Sequence, residues 1–331
     1  VDRPRLRGGT PPPDSSYDID IIILALDRFD ETIKAVISAL DQTGPSFHVH
    51  ILDQGSAPET QARFTLAFRG VSNISYYVTD KNLGVPGGRN FLSEVGKGRI
   101  IIALDNDAVF ADRNVAAQVV AAFDRDRSLG AVAFNILAAD GVQPDRSSWG
   151  YPARMMDRYN DEFDVVTFVG AGHAIRRRAW IAAGGYDSSL FFTWEELDFC
   201  LRAIALGWVI RYDGSLRVIH KPSARARQSW SNGRTRLFVR NRLTIARKWR
   251  ASWIALTPRI LGYLIRGILD RRLSPTLFGI IEAFRHDPLQ PKTTMKPAMK
   301  DYILRNDLRY RGSLWTRART EIFRRPRFDP Y

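Results

Sequence analysis

Along the earlier part of the chain, short apolar blocks alternate with segments of helical periodicity. Residues 18–26 (DIDIIILAL) form a nearly continuous β-branched run, which predicts a strand buried on both faces. From Glu31 to Gln42 the period changes. Ile33, Val36, Ile37 and Leu40 recur at helical spacing and predict one apolar face. Phe47–Asp53 predicts a second strand and Ala57–Phe68 a second helix. Ile74–Val78 and Arg99–Leu104 predict two more strands. Leu129–Ile136 and Val165–Ile175 continue the series, and Val209–Tyr212 with Leu216–Ile219 predict a hairpin about Asp213-Gly214. Strands alternating with helices predict an α/β fold with a Rossmann-like, doubly wound, mainly parallel sheet. After Pro222 the pattern becomes one of arginine-rich helices. The chain is therefore divided into a flexible, proline-rich leader (1–16), an α/β domain (17–222) and a basic, mostly helical C-terminal extension (223–331).

Charge and cysteine content narrow the picture. The 331 residues carry a formal net charge of +14, concentrated after Ser223, which favours anionic partners. Cys200 is the only cysteine, so an intramolecular disulfide and a cysteine-cluster metal site are excluded. The first residues lack the apolar core of a secretory signal. No uninterrupted apolar run reaches the ~18 residues of a spanning helix, since Arg259 and Arg266 interrupt Trp253–Leu269. The expected location is cytoplasmic, with peripheral attachment at the inner face of the membrane. Arg234, Arg236, Arg240, Arg242, Arg247, Lys248 and Arg250 crowd one predicted helix. Trp249, Trp253, Leu256, Leu261 and Ile265 lie close by, a mixture that suits an anionic membrane surface. The competing expectation is a helical subdomain that packs on the α/β domain or forms a homo-oligomer interface.

The candidate chemistry sits at strand ends, where doubly wound sheets bind ligands. Asp27, Asp53, Asp80, Asp105 and Asp107 all follow predicted strands. Any one alone reads as a turn or cap residue. Asp105 and Asp107, in LDND, are separated by one residue and can converge on one ligand, as hard oxygen donors for Mg2+ or Mn2+. The segment DKNLGVPGGRN (Asp80–Asn90) offers glycines for close backbone approach and the Arg89 fork for phosphate. In FFTWEELDFC (Phe191–Cys200), Glu195, Glu196 and Asp198 stand beside an aromatic wall. Acids at a helix start suit the helix dipole, and partial burial beside aromatics also suits a general base. His220, in RVIH, can supply an imidazole ligand. His48, His50 and His173 read as packed histidines.

In number, order and spacing these pieces resemble the family 2 inverting glycosyltransferases of GT-A fold, rhamnosyltransferase-like members among them. The resemblance runs from about Asp18 to His220 through IDIIILAL, LDQGS, KNLGVPGGRN, LDND, GAGHAIRRRAWIAAGGYD, EELD and RVIH. It implies that Asp53 contacts the base or ribose of a nucleotide-diphosphate sugar, UDP- or dTDP-linked, with Asp80 and Arg89 near base and phosphates. Ala25, Asp27, Asn82, Gly84, Asp105 and Asn106 join that contact set. Asp105 and Asp107 fill the family's D-x-D, which binds a divalent ion (Mn2+ or Mg2+), and His220 completes the metal site. Glu196 takes the position of the catalytic base, with Asp198 as support or acceptor contact and Glu195 as the alternative base. Trp194, Gly172 and His173 border the acceptor, a saccharide or lipid-linked glycan in polysaccharide or cell-surface glycan synthesis. Two positions depart from the family pattern. The first strand runs into Ala25-Leu26-Asp27-Arg28 instead of a Pro and Tyr-Asn-Arg-like turn, and the base position holds Glu instead of Asp.

Two other functions fit parts of the chain. A nucleotidyltransferase also uses a doubly wound sheet and paired acids, but leaves EELD and RVIH without a role. A basic nucleic-acid-binding protein accounts for the charge, but the usual aromatic RNA-stacking motifs are absent.

Overall fold

The computed structural model of the protein describes residues 3–221, 231–286 and 293–313. In chain order the elements are β1 (Arg5–Gly9), β2 (Ile19–Ala25), α1 (Phe29–Leu40), β3 (Phe47–Asp53), α2 (Pro58–Ala67) and β4 (Ile74–Val78). There follow α3 (Gly84–Val95), β5 (Ile100–Leu104), β6 (Ala108–Phe110), α4 (Val115–Arg125), β7 (Leu129–Leu137) and β8 (Glu162–Asp164). Next come β9 (Gly172–Arg176), α5 (Arg177–Ala183), α6 (Glu195–Ala205) and β10 (Val209–His220). The C-terminal helices are α7 (Ser231–Lys248), α8 (Trp253–Leu269), α9 (Leu273–Arg285) and α10 (Pro297–Asn306).

The strands form one sheet in the order β1-β4-β3-β2-β5-β9-β7-β10-β6, with β8 on β10. β4, β3, β2 and β5 pair in parallel, and β10 is parallel to β7. β9 runs against both β5 and β7. The continuous apolar strands are explained by helices on both faces. In β2, Ile21 and Ile23 belong to the core on one side, shared with Val36 of α1 and Val119 of α4. Ile22, between them, meets Leu92 of α3 and Phe199 of α6 on the other. A period-2 strand covered on both sides must be apolar at every position.

Several elements differ from the sequence reading, each for a local reason. Part of the leader is ordered: β1 pairs antiparallel with β4 and covers an otherwise open sheet edge. Helix α1 is rotated from its expected face. Thr32, Ala35, Val36 and Ala39 are buried, while Ile37 is 57% exposed. The segment predicted as the strand Val165–Ile175 enters the sheet only at Gly172. The expected hairpin about Asp213-Gly214 is instead one strand, β10, with an irregularity in its β7 register between Asp213 and Arg217. Asp213 accepts from the Ser215 N–H and hydroxyl, and Gly214 is tied on both sides, to the Asp161 carbonyl and the Asn135 amide. The chain thus bulges and continues, so that Leu216 and Val218 stay in the core.

The C-terminal helices divide into two parts. α7 and α10 are built onto the α/β domain. Tyr302 of α10 accepts from the Ile210 N–H and donates within reach of the Val165 and Ile210 carbonyls. Several basic residues of α7 turn inward rather than toward solvent: Arg240 donates to the Ser189 and Leu190 carbonyls, and the Arg242 guanidinium lies 5.3 Å over the Trp194 ring. Trp249 and Leu256, expected as exposed apolar surface, are buried. α8 and α9 form a hairpin that packs on α7 through Val239, Leu243, Leu256 and Ala283. Among the described residues no helix is long and apolar enough to cross a membrane.

Candidate active site

The acids of LDND leave the sheet where β5 ends. Asp105 remains half exposed, and Asp107 is mostly covered. Asp107 Oδ2 accepts from Arg28 Nη2 at 3.1 Å, and its Oδ1 lies 3.5 Å from His220 Nε2. His220 reaches this point because β10 pairs with β6, which sets His220 opposite Ala108. The other ring nitrogen of His220, Nδ1, is 2.9 Å from Asp145 Oδ2. Asp145 is fixed in turn by the Ser147 N–H and by the hydroxyls of Ser147 and Ser148. Burial works against a charged ring at His220. The hydrogen bonds to Asp107 and Asp145 outweigh it and raise its pKa to about 9. Asp107 is also buried, yet His220 and Arg28 hold its carboxyl below the usual range.

Arg89 joins this acid pair to the EELD segment. Its guanidinium is only 3% exposed and has no fork to spare. Nη2 donates to Asp105 Oδ1 at 2.9 Å and to the Gly170 carbonyl at 2.8 Å, and Nη1 to Glu196 Oε1 at 3.3 Å. Gly170 permits this approach, because a Cβ there would stand 2.7 Å from Glu196 Oε1. Glu195 and Glu196 then separate sharply. The Glu196 side chain is 15% exposed, whereas Glu195 is 2% exposed and its Oε2 has no hydrogen-bond partner. Burial pushes both carboxyls up, Glu195 the further, with Arg89 opposing in each case.

The turn before α6 adopts an uncommon backbone. Phe191, Thr193 and Trp194 all have positive φ, at 62°, 70° and 69°. Left-handed backbone costs a non-glycine residue about 1–2 kcal/mol. Two contacts hold it. The buried Asn241 of α7 aims its Nδ2 at the Leu190, Phe192 and Thr193 carbonyls, at 2.9, 2.8 and 2.9 Å. The Phe191 carbonyl accepts from the Val85 N–H at 2.8 Å, across Gly84. Gly84 has φ +73°, and a Cβ there would lie 2.2 Å from the Phe191 oxygen. Behind the turn, Asp198 faces away from Glu196. It accepts from Arg202 Nε at 2.9 Å and from Lys248 Nζ at 2.7 Å, all three side chains nearly or fully buried.

The remaining sequence candidates divide by position. Asn106 stays beside the acids, its amide donating to Thr32 Oγ1 at 3.1 Å. Ala25, Asp27 and Asp53 lie together at adjoining strand ends, but largely serve their own turns. The Ala25 carbonyl accepts from the Gln54 N–H, and Asp27 Oδ1 from the Ala57 N–H. Asp53 accepts from the Gly55 and Ser56 N–H groups and from the Tyr76 hydroxyl. Asn82 accepts from the Gly84 N–H. Asp80 is exposed and pairs with Arg5 of β1. Trp194 flanks Glu195 and donates from Nε1 to the Phe238 carbonyl. Gly172 and His173 do not border a cleft, contrary to expectation. Gly172 lies under Phe134 and Val218, and His173 is fully buried between Val169 and Tyr186. Burial, then the nearby Arg89, pushes the His173 pKa well below its ordinary value and keeps the ring neutral.

Sequence reading missed Arg28, Asp145, Gly170, Asn241 and Lys248. Asp145 carried a faint signal, an Asp followed closely by two serines that cap it. Its partner His220 is 75 residues away, beyond any local pattern.

Comparison with known proteins identifies the domain. Residues 20–184 match the model of glycosyl transferase family 2, which places the α/β domain in that family. The protein is a glycosyltransferase of GT-A architecture. It is 29% identical over 169 residues, half of this chain and 91% of the other, to an uncharacterized protein of Haemophilus influenzae. Its fold is similar to that of GalNAc-T7 solved with UDP, GalNAc and Mn2+, at TM-score 0.60 and 15% identity. That match covers 88% of this chain and spans only 58% of the GalNAc-T7 chain. The mannosyltransferase PcManGT of Pyrobaculum calidifontis, solved with GDP-Man and Mn2+, gives TM-score 0.57 at 16% identity, covering 95% of this chain and 87% of its own.

Proposed function

We propose that the protein transfers a sugar from a UDP- or dTDP-linked donor to a hydroxyl of a saccharide or lipid-linked glycan, with inversion and with a divalent ion, Mn2+ or Mg2+. One observation carries this reading. A single buried guanidinium, that of Arg89, bonds both Asp105 and Glu196, so the acid pair and a candidate base face one space.

Among the described residues no group of three or more His, Cys, Asp and Glu side chains is arranged to hold a metal ion. Asp107 Oδ1 and His220 Nε2 nevertheless stand 3.5 Å apart. Two adjacent ligands of one ion at ~2.1 Å each stand roughly 3 Å apart. Asp145 on the far ring nitrogen matches the carboxylate–histidine–metal arrangement, which fixes the tautomer and aims Nε2 at the ion. Asp107 and His220 therefore fit such an ion, with Asp105 beside them. A bound ion would neutralise charge on the leaving nucleoside diphosphate.

Glu196 is the proposed base. Its carboxylate takes the proton of the acceptor hydroxyl while that oxygen attacks the anomeric carbon opposite the diphosphate. Arg89 keeps Glu196 oriented and supplies positive charge between donor and acceptor. Glu195, enclosed and with its carboxyl pushed up further by burial, is less suited to this task. Asp198, with both oxygens bonded, supports α6 and does not contact the acceptor. Because the base must be ionised, turnover falls as pH drops through its pKa. The raised carboxyl of Glu196 places that acid limb above the ordinary carboxylate range.

The test is product analysis with UDP-, dTDP- and GDP-sugars and Mn2+. Release of the nucleoside diphosphate is expected, and Glu196→Gln lowers turnover by about 10²–10⁴-fold. The variant keeps the stabilisation given by the preferred nucleotide, about 2.7 kcal/mol at a hundredfold excess over Kd. Near-normal turnover in Glu196→Gln removes the base assignment. Release of pyrophosphate instead selects nucleotidyl transfer.

A further inference from the structure

The α8–α9 hairpin is inverted relative to an ordinary surface helix pair. On α8, Ile254, Leu261 and Ile268 fall at steps of seven on one outward stripe, and Ile254 is 88% exposed. On α9, Leu277, Phe278 and Ile281 continue the same kind of surface. The inward faces are already satisfied by α7. Gly267 of α8 and Thr276 of α9 bring the two helices close, since a Cβ at Gly267 would stand 2.7 Å from Thr276 Oγ1. The apolar stripes therefore belong to one continuous layer. A contiguous apolar face of this kind marks an interaction surface rather than scattered exposed side chains.

The charges around the face identify what covers it. Residues 250–286 contain six arginines and two acids. Both acids are already paired, Asp270 with Arg266 and Glu282 with Arg236. Arg250, Arg271 and Arg285 lie exposed at the ends of the helices. Apolar stripes edged by Arg250, Arg271 and Arg285, which have no acidic partner among the described residues, match an acyl layer beneath anionic headgroups. α8 has 17 residues, about 25 Å of helix against a hydrocarbon core of ~30 Å, with Pro258, Arg259 and Arg266 inside it. It suits a helix that lies on a membrane, not one that crosses it.

We propose that the outward faces of α8 and α9 dock the protein on an anionic membrane surface. The surface communicates with the proposed site. Tyr263 of α8 contacts Phe238 of α7, whose ring lies 4.8 Å from that of Trp194, next to Glu195 and Glu196. Docking therefore sets the Glu196 side of the proposed site toward the bilayer, where a lipid-carried hydroxyl is held. That choice of acceptor rests on the proposed glycosyl transfer; the docking itself does not.

The test is flotation of the full chain with phosphatidylcholine vesicles, with and without phosphatidylglycerol, at low salt. Flotation with the anionic vesicles, weakened by salt, is expected. The double variant Ile268→Glu/Phe278→Glu changes only exposed positions and loses most of the bound fraction, while nucleotide-dependent stabilisation stays unchanged. Absence of flotation with either vesicle overturns the proposal. So does a concentration-dependent dimer in light scattering that the same double variant dissociates, because the face is then an interface between two copies. Nucleoside diphosphate release, measured separately without vesicles, reports on the catalytic reading alone.

Discussion

The acids of LDND and those of EELD are held by different kinds of structure. Asp105 and Asp107 follow directly from a buried parallel strand. Arg89, Arg28 and His220 reach them from neighbouring strand ends and the helices that follow. Glu195, Glu196 and Asp198 begin a helix whose entry turn is left-handed at three of the four residues 191–194. That turn is held by Asn241 and Arg240 of α7 and by the Val85 N–H of α3, while Lys248 of α7 holds Asp198 behind it. The first side is produced by the sheet itself. The second is braced by the C-terminal helix as well as by α3, so the extension supports the segment that carries the proposed base.

The strongest way to break this comparison is Lys248→Met. Removing Lys248 leaves Asp198 buried with Arg202 as its remaining partner. Loss of one partner of a buried ion pair costs about 3–5 kcal/mol. Denaturant unfolding of the purified full chain should show that loss. Asp107→Asn, on the other side, should change stability much less while abolishing Mn2+-dependent nucleotide binding. A neutral Lys248→Met would show that α6 stands without α7.

A second variant sharpens the LDND side. Asp145→Asn keeps the shape of the loop but weakens its hold on the His220 ring. Outer carboxylates of this kind are worth about 10–100-fold in metal affinity. Titration with Mn2+ in the presence of nucleotide should show a loss of that size without loss of fold. Unchanged affinity would leave Asp145 as a loop anchor only.

The smallest expected effect is that of Asn241→Ala. It strands carbonyls of the 190–193 turn, at about 1–3 kcal/mol. Its signature is a rise in KM for the acceptor with donor affinity preserved. Equal losses in donor and acceptor binding would mean that the turn supports both sides.

Sequence reading located the sheet well because its strands are buried on both faces. DIDIIILAL and RIIIAL suit strands covered on both faces, and Asp105 and Asp107 stand just past the end of the second. It also proposed EELD and RVIH as chemistry-bearing segments. It placed Gly172 and His173 at a cleft when they lie inside the sheet, because periodicity does not show that β9 is inserted between β5 and β7. It gave the arginines of α7 an outward role for a similar reason. A helical face rich in arginine looks solvated until carbonyls from a distant turn are found against it.

The order of apolar and polar residues thus determined the α/β domain, the strand-end acids and the basic helical extension, because burial imposes its period on the chain locally. Only the tertiary structure decided which of two adjacent glutamates is accessible, which aspartate steadies His220 and which helix holds the left-handed turn. Those outcomes depend on contacts between segments tens of residues apart, and no local period records them.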